Sequence, residues 1–395
     1  LNLYKIWKET HGATIFGAIF ISILYTTLVV HNVLNAQSNF GDFVEHANVA
    51  EKITNGGIIP PHFLYHMLLI SIHKLFNLSF HFATYTITFI CVFITYIIAY
   101  KIIENDLNVS NKYLLGFAVF FLLISHPIVL LFPFDQHLYF GYLASNVYHN
   151  PTIVLLKPIA LVHFILLCKI LNGDLVQWSL ARKIIVMATL TALSIVAKPS
   201  YIISLLPAMG VLLTLRYFLL YPKDTTEFWV LVLGLLLPSF VILLSQYVYF
   251  YGSNSNNSIV IGLFSVFKIN SQLWTLVPKL LASIAFPISL FFIMGKRLVR
   301  QLDFQLSSLM FLMALIYSYC LVDWVNGLPE GNFWWTAQIT HFLLLFVCIR
   351  AYLDELYRHP TKYLRRDIYI PAYVGGLQLI SGIIWFAANI EGSYL

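Results

Sequence analysis

The residues able to do chemistry in this 395-residue chain gather in two polar stretches and two lone lysines. Residues 41–57 read GDFVEHANVAEKITNGG, with Asp42, Glu45 and His46 at helical spacing before the stop signal Gly56-Gly57. Two carboxylates and an imidazole on one helix face are the equipment of general acid–base catalysis, in which a side chain takes a proton from a reacting hydroxyl. The Asp42/Glu45 spacing also matches a capping box, with Asp42 accepting a backbone N–H and Glu45 reaching back. The two roles are compatible, because a capped helix start is rigid and its free N–H groups favour anions. Phe43, Ala47 and Ala50 form a separate apolar stripe that can lie against neighbouring helices. Further on, residues 62–76 (HFLYHMLLISIHKLF) place His62 and His66 at i and i+4. That spacing suits a metal-ligand pair, or the wet face of a helix lying at a membrane interface.

The second stretch, residues 133–151 (PFDQHLYFGYLASNVYHNP), offers Asp135, His137, Tyr148, His149 and Asn150. Lys157 and Lys198 follow, each just inside the boundary of an apolar block. A cation below the membrane surface is costly unless it is paired or solvated. A lipid-borne phosphate would be a partner at that depth, so Lys157, Lys198, His149 and Asn150 are the expected phosphate-binding set. Asp135, His137, Tyr148, His62 and His66 are the expected substrate contacts. The plainer alternative has both lysines snorkelling to the headgroups and the aromatics forming an interfacial belt.

Composition fixes what must position these residues. The chain is 59% hydrophobic and 10% charged, with a mean hydropathy of +0.81. A soluble domain carries about 25% charged residues, and a disordered chain has far less apolar surface. Apolar blocks of about 20 residues match the thickness of a bilayer. The expected fold is an all-α polytopic membrane protein of about 11 transmembrane helices (10–12), forming one transmembrane domain over 1–395. The spans fall near 13–34, 82–103, 113–132, 152–170, 183–198, 200–220, 228–250, 278–295, 304–322, 336–353 and 369–389. The first reads as an uncleaved anchor, its core being longer than that of a cleaved signal. With the N-terminus in the cytoplasm, seventeen of the 23 lysines and arginines, including every arginine, fall on the inner side. The first outer loop, 35–81, is then expected to carry two membrane-parallel helices, 41–56 and 62–76. The net charge of +6 reflects this topology, and no nucleic-acid partner is expected. The four cysteines form no metal or disulfide pattern, and no phosphate-binding glycine loop is present.

An acidic residue soon after the first span, two interfacial helices in a large outer loop and many further spans resemble the GT-C class of membrane glycosyltransferases. The likeness covers about the first 200 residues. It implies an enzyme of polysaccharide or glycoconjugate biosynthesis that takes a sugar from a polyprenyl-phosphate or polyprenyl-diphosphate donor. The acceptor would be a hydroxyl on a glycan, lipid or protein at the outer face. The resemblance implies Asp42 as catalytic base, with Glu45 and His46 beside it. It leaves room for a divalent cation, Mg or Mn. The chain lacks the Asp-x-Asp of that class, and Trp334-Trp335 is followed by Thr336 where an oligosaccharyltransferase has aspartate, so a metal-free mechanism fits better. A flippase or exporter of a lipid-linked sugar, or a polysaccharide polymerase or ligase, would share the many spans. No internal repeat and no outer arginine support those alternatives. The Asn- and Ile-rich composition points to a bacterial inner membrane.

Overall fold

A computed structural model of the chain describes residues 12–34, 42–107, 111–129, 134, 140–220, 225–252, 258–270, 273–325, 328–358 and 368–391. The chain begins with α1 (Gly12–Leu34), followed by α2 (Phe43–Thr54), α3 (Leu64–Phe76), α4 (Phe80–Leu107) and α5 (Lys112–Ile124). After an extended passage come α6 (Pro151–Leu171), α7 (Leu180–Ala197) and α8 (Ser200–Leu220). Helix α9 (Thr225–Trp229) runs through a π-helical turn, Val230–Leu236, into α10 (Leu237–Tyr251). Strand β1 (Ser258–Ile261), α11 (Ser265–Asn270), α12 (Leu276–Ser283), α13 (Ala285–Met294), α14 (Lys296–Val299) and α15 (Leu302–Cys320) follow. Strands β2 (Leu321–Val325) and β3 (Leu328–Glu330) then lead to α16 (Trp334–Arg358) and α17 (Tyr369–Glu391).

Each of the eleven apolar blocks contains helix, but they are not equal. Among the described residues, eight helices are long and apolar enough to cross a membrane. A ninth forms if residues 273–294, bent by 53° at Ile284, count as one broken span. Helices α5 and α8 (described to Arg216) are shorter apolar helices. The expected span at 113–132 ends at Ile124, where the chain turns extended. The fold is also not purely helical. The strands form a small antiparallel sheet in the order β1-β2-β3, with Asp323 directly opposite Glu330.

Burial separates core helices from lipid-facing ones. The apolar windows of α16 and α6 are 89% and 78% buried, against 28% for α7. The two central helices bury residues on all their faces, the polar Gln338, His341, Lys157 and His163 among them, as helices enclosed by other helices. The outer helices show Phe240, Tyr247 and Phe292 at the surface, which suits a chain whose solvent is hydrocarbon. The loop helices α2 and α3 pack on each other and on α4. The buried face of α2 is the Phe43, Ala47, Ala50 stripe.

The extended passage 141–148 is buried throughout, which would leave its backbone groups unpaired. Side chains from other elements satisfy several of them. Leu143 N donates to Ser283 Oγ (2.9 Å), and Ala144 N donates to Gln338 Oε1 (2.8 Å). Gln338 Nε2 returns a bond to Tyr142 O (3.1 Å), and Lys279 Nζ donates to Phe140 O (2.7 Å). Lys157 Nζ donates to Ser145 O and Val147 O at 2.7 and 2.9 Å. Gly141 takes a φ of +90° under Lys279, where a Cβ would sit 2.9 Å from the lysine chain. Non-helical backbone inside a membrane protein survives only where protein or a cavity supplies partners. Here two buried lysines supply a large share of them.

Candidate functional site

Asp42 occupies the N-cap position of α2, but its side chain makes no capping bond, so the expected capping box is not formed. The carboxylate instead accepts from Asn150 Nδ2 at 2.7 Å, and its own N–H donates to His149 O at 3.1 Å. Asn150 is the true cap of this region. Its Oδ1 accepts from Ile153 N (3.1 Å) at the start of α6, where a β-region asparagine before Pro151 is a strong helix start. The same oxygen takes Thr152 Oγ1 at 2.6 Å. Lys198, in the break between α7 and α8, reaches Thr152 Oγ1 at 3.1 Å and Asn150 Oδ1 at 3.5 Å. Asp42, Asn150 and Lys198 therefore share one hydrogen-bonded corner, joined from three separate elements.

Burial pushes the Asp42 carboxyl above its usual range. Lys198 and the Asn150 amide pull it back, while the charges of Glu45 and Glu330 push it up further. Glu45 itself points to solvent. Glu330 comes from the β2–β3 hairpin and is raised by its own burial, by Asp323 opposite and by Glu45. Asn332 Nδ2 holds Asp323 Oδ2 at 2.9 Å. The aromatic floor is Trp335, whose ring lies 5.5 Å from Lys198 Nζ and 5.3 Å from the His149 ring.

The histidines line the other flank. His46 Nδ1 and His66 Nε2 are 2.8 Å apart, so one of them carries the shared proton. His66 is buried with its Nδ1 lacking a hydrogen-bond partner among the described residues. Burial lowers His66 to about 4; burial, then Lys198 and His66, lower His62 to about 3. His46 is lowered well below the usual range by burial, then by His66, Lys198 and His62. Burial and Lys157 lower His149 to about 4. All four are neutral at pH 7. Among the described residues no three His, Cys, Asp or Glu side chains converge to hold a metal ion. The described residues of the corner do not fit a bound Mg or Mn.

The expected site residues thus divide. Asp42, Asn150, Lys198, His46, His62, His66 and His149 meet, with Glu45 at the rim. Lys157 does not join them, since its ammonium is committed to Ser145 O and Val147 O. Tyr148 is a packing residue: its ring is enclosed by Phe43, Tyr25 and Trp385, and its hydroxyl bonds Asn389 Oδ1 at 3.1 Å. Asp135 and His137 lie outside the described residues. Asp323, Glu330 and Thr152 belong to the corner but were not expected. For the first two a signal existed, because Asn326-Gly327 between the alternating runs LVDWV and LPE is a hairpin signature. No protein-family profile matches the chain, and comparison with curated proteins returned no match.

Proposed function

We propose that the chain is a bacterial inner-membrane glycosyltransferase of the GT-C kind, with Asp42 as general base at the outer face. Its N-terminus would be cytoplasmic and α2 and α3 would lie along the membrane surface. The donor would be a polyprenyl-phosphate or polyprenyl-diphosphate sugar, and the acceptor a hydroxyl of a glycan, lipid or protein. What carries the reading is a carboxylate held by an amide donor and next to a buried ammonium, at the junction of the loop helices and the bundle.

The geometry lends itself to displacement. Asp42 takes the acceptor's hydroxyl proton while that oxygen bonds the anomeric carbon. The bond from that carbon to the phosphate oxygen breaks, and its electron pair leaves with the phosphate. Lys198 would stabilise the departing charge, a preorganised electrostatic contribution. Trp335 offers a face on which a sugar ring can stack. A carboxyl raised toward neutrality is a better proton acceptor than a free aspartate.

The test is transfer of radiolabel from a polyprenyl-phosphate-linked sugar in proteoliposomes. Asp42→Asn should lower turnover by about 10²–10⁴-fold, the usual span for loss of a general base. Expression and donor binding should stay near normal. Wild-type turnover in the variant would remove Asp42 from the mechanism. Labelling of Glu45→Cys by a membrane-impermeant maleimide only from the cytoplasmic side would remove the outer-face assignment.

A further inference from the structure

At the far end of the bundle from Asp42 lies a second polar region that the transfer reaction does not use. Helix α6 starts beside Asn150 and runs 21 residues, about 30 Å at 1.5 Å per residue, to that end. There Arg350 binds both Asp106 and Asp303, Lys169 also binds Asp106, and Arg358 binds Asp354. These pairs stitch α4, α6, α15 and α16 together around a cavity of about 520 Å³. Its remaining carboxylate, Asp174, is exposed to water.

A second cavity of about 490 Å³ opens next to it, and Arg300 lines both. Its walls are Leu212 and Leu215 from α8 and Leu309 from α15, with Arg216, Arg300 and Gln305 the polar members. Among the described residues neither Arg216 nor Arg300 makes an ion pair with a carboxylate. Arg216 stands sixteen residues along α8 from Ser200, about 24 Å from the Lys198 corner. A groove with two unclaimed guanidiniums beside an apolar wall complements a phosphate that carries hydrocarbon. Leu215 is half exposed, so the wall opens toward the surface that the other helices present to lipid. Guanidinium forks match phosphate oxygens in pairs, and basic pockets between spanning helices take anionic headgroups.

We propose that the groove between α8 and α15 binds an anionic phospholipid, its phosphate on Arg216 and Arg300 and its chains along Leu212, Leu215 and Leu309. Gln305 is anchored through its Nε2 to Val299 O (2.8 Å), which leaves its carbonyl oxygen for a headgroup hydroxyl. The site is separate from the Asp42 corner and does not depend on the reaction assigned there.

The test is native mass spectrometry of the full chain in neutral detergent, with dioleoylphosphatidylglycerol and dioleoylphosphatidylcholine in competition. The wild type should retain phosphatidylglycerol in preference. Arg216→Gln and Arg300→Gln should each weaken that retention about fivefold, from the contribution of one basic residue near an anionic headgroup. The double Lys variant should keep most of it. Arg297→Gln, whose parent side chain is paired with Glu355 and lines neither cavity, should behave as wild type. Arg300 is exposed, so its variant tests the site without disturbing the bundle. Equal retention of the two lipids by the wild type would overturn the proposal. So would undiminished phosphatidylglycerol binding by the double Gln variant, or full displacement of the lipid by millimolar inorganic phosphate.

Discussion

Asn150→Asp separates the structural and electrostatic roles of the residue at the centre of the corner. Aspartate keeps a side-chain oxygen for Ile153 N, so the start of α6 should remain capped. It loses the amide that donates to Asp42 Oδ2 at 2.7 Å. A hydrogen bond to a charged group contributes about 1.5–3 kcal/mol, and one pKa unit corresponds to about 1.4 kcal/mol. Losing the bond should therefore raise the Asp42 carboxyl by about one to two units. The new carboxylate adds to this in the same direction, through like-charge repulsion and by competing for Lys198. The sign is fixed, because Asn150 favours the ionised form and its removal favours the protonated one. Dicyclohexylcarbodiimide reacts with protonated buried carboxyls, so the adduct at position 42 can be titrated by mass spectrometry without any substrate. The labelling midpoint should move upward by at least one pH unit in Asn150→Asp, and by the hydrogen-bond share alone in Asn150→Ser. A midpoint that stays in place in both variants, with the protein folded, would refute the electrostatic link between Asn150 and Asp42.

Two other perturbations follow from buried groups. Lys157→Met keeps the volume but leaves Ser145 O and Val147 O without their donor, at about 1–3 kcal/mol for each buried acceptor. Thermal unfolding should show a clear fall in Tm; an unchanged Tm with weakened donor binding would return Lys157 to the phosphate. The histidines predict acid lability. Folded His62 titrates at about 3 and His66 and His149 at about 4, whereas unfolded histidines take up protons near 6.5. The unfolded chain then binds more protons between those limits, so stability should be full above about pH 7 and fall from about pH 6.5 toward pH 4. Asp42 and Glu330 act in the opposite sense but are outnumbered by four imidazoles. A flat Tm between pH 7 and pH 4.5 would contradict this, and His66→Gln should make the slope shallower.

The sequence by itself determined the membrane class, the largely helical character of the apolar blocks and the packing stripe of α2, although among the described residues only eight helices are long and apolar enough to cross a membrane. All three depend on hydropathy and on periods of a few residues, which are local properties. It also singled out Asp42, Asn150, Lys198 and the histidines, because polar groups at the edge of apolar blocks stand out from their background. Tertiary structure decided what each of them does. Lys157 and Lys198 look alike in sequence, each beside a proline at an apolar boundary. One clamps the buried backbone of 141–148 and the other faces Asp42, a difference set by the path of a non-helical segment that has no periodicity to read. Asp42 matched a capping box, yet a better-placed donor arrived from Asn150, 108 residues away along the chain. Glu330 reached the same corner through a hairpin whose turn residues were legible but whose position over α2 was not. Local spacing can say which groups are able to react, but which of them share a low-dielectric corner is set by contacts between elements far apart in the chain.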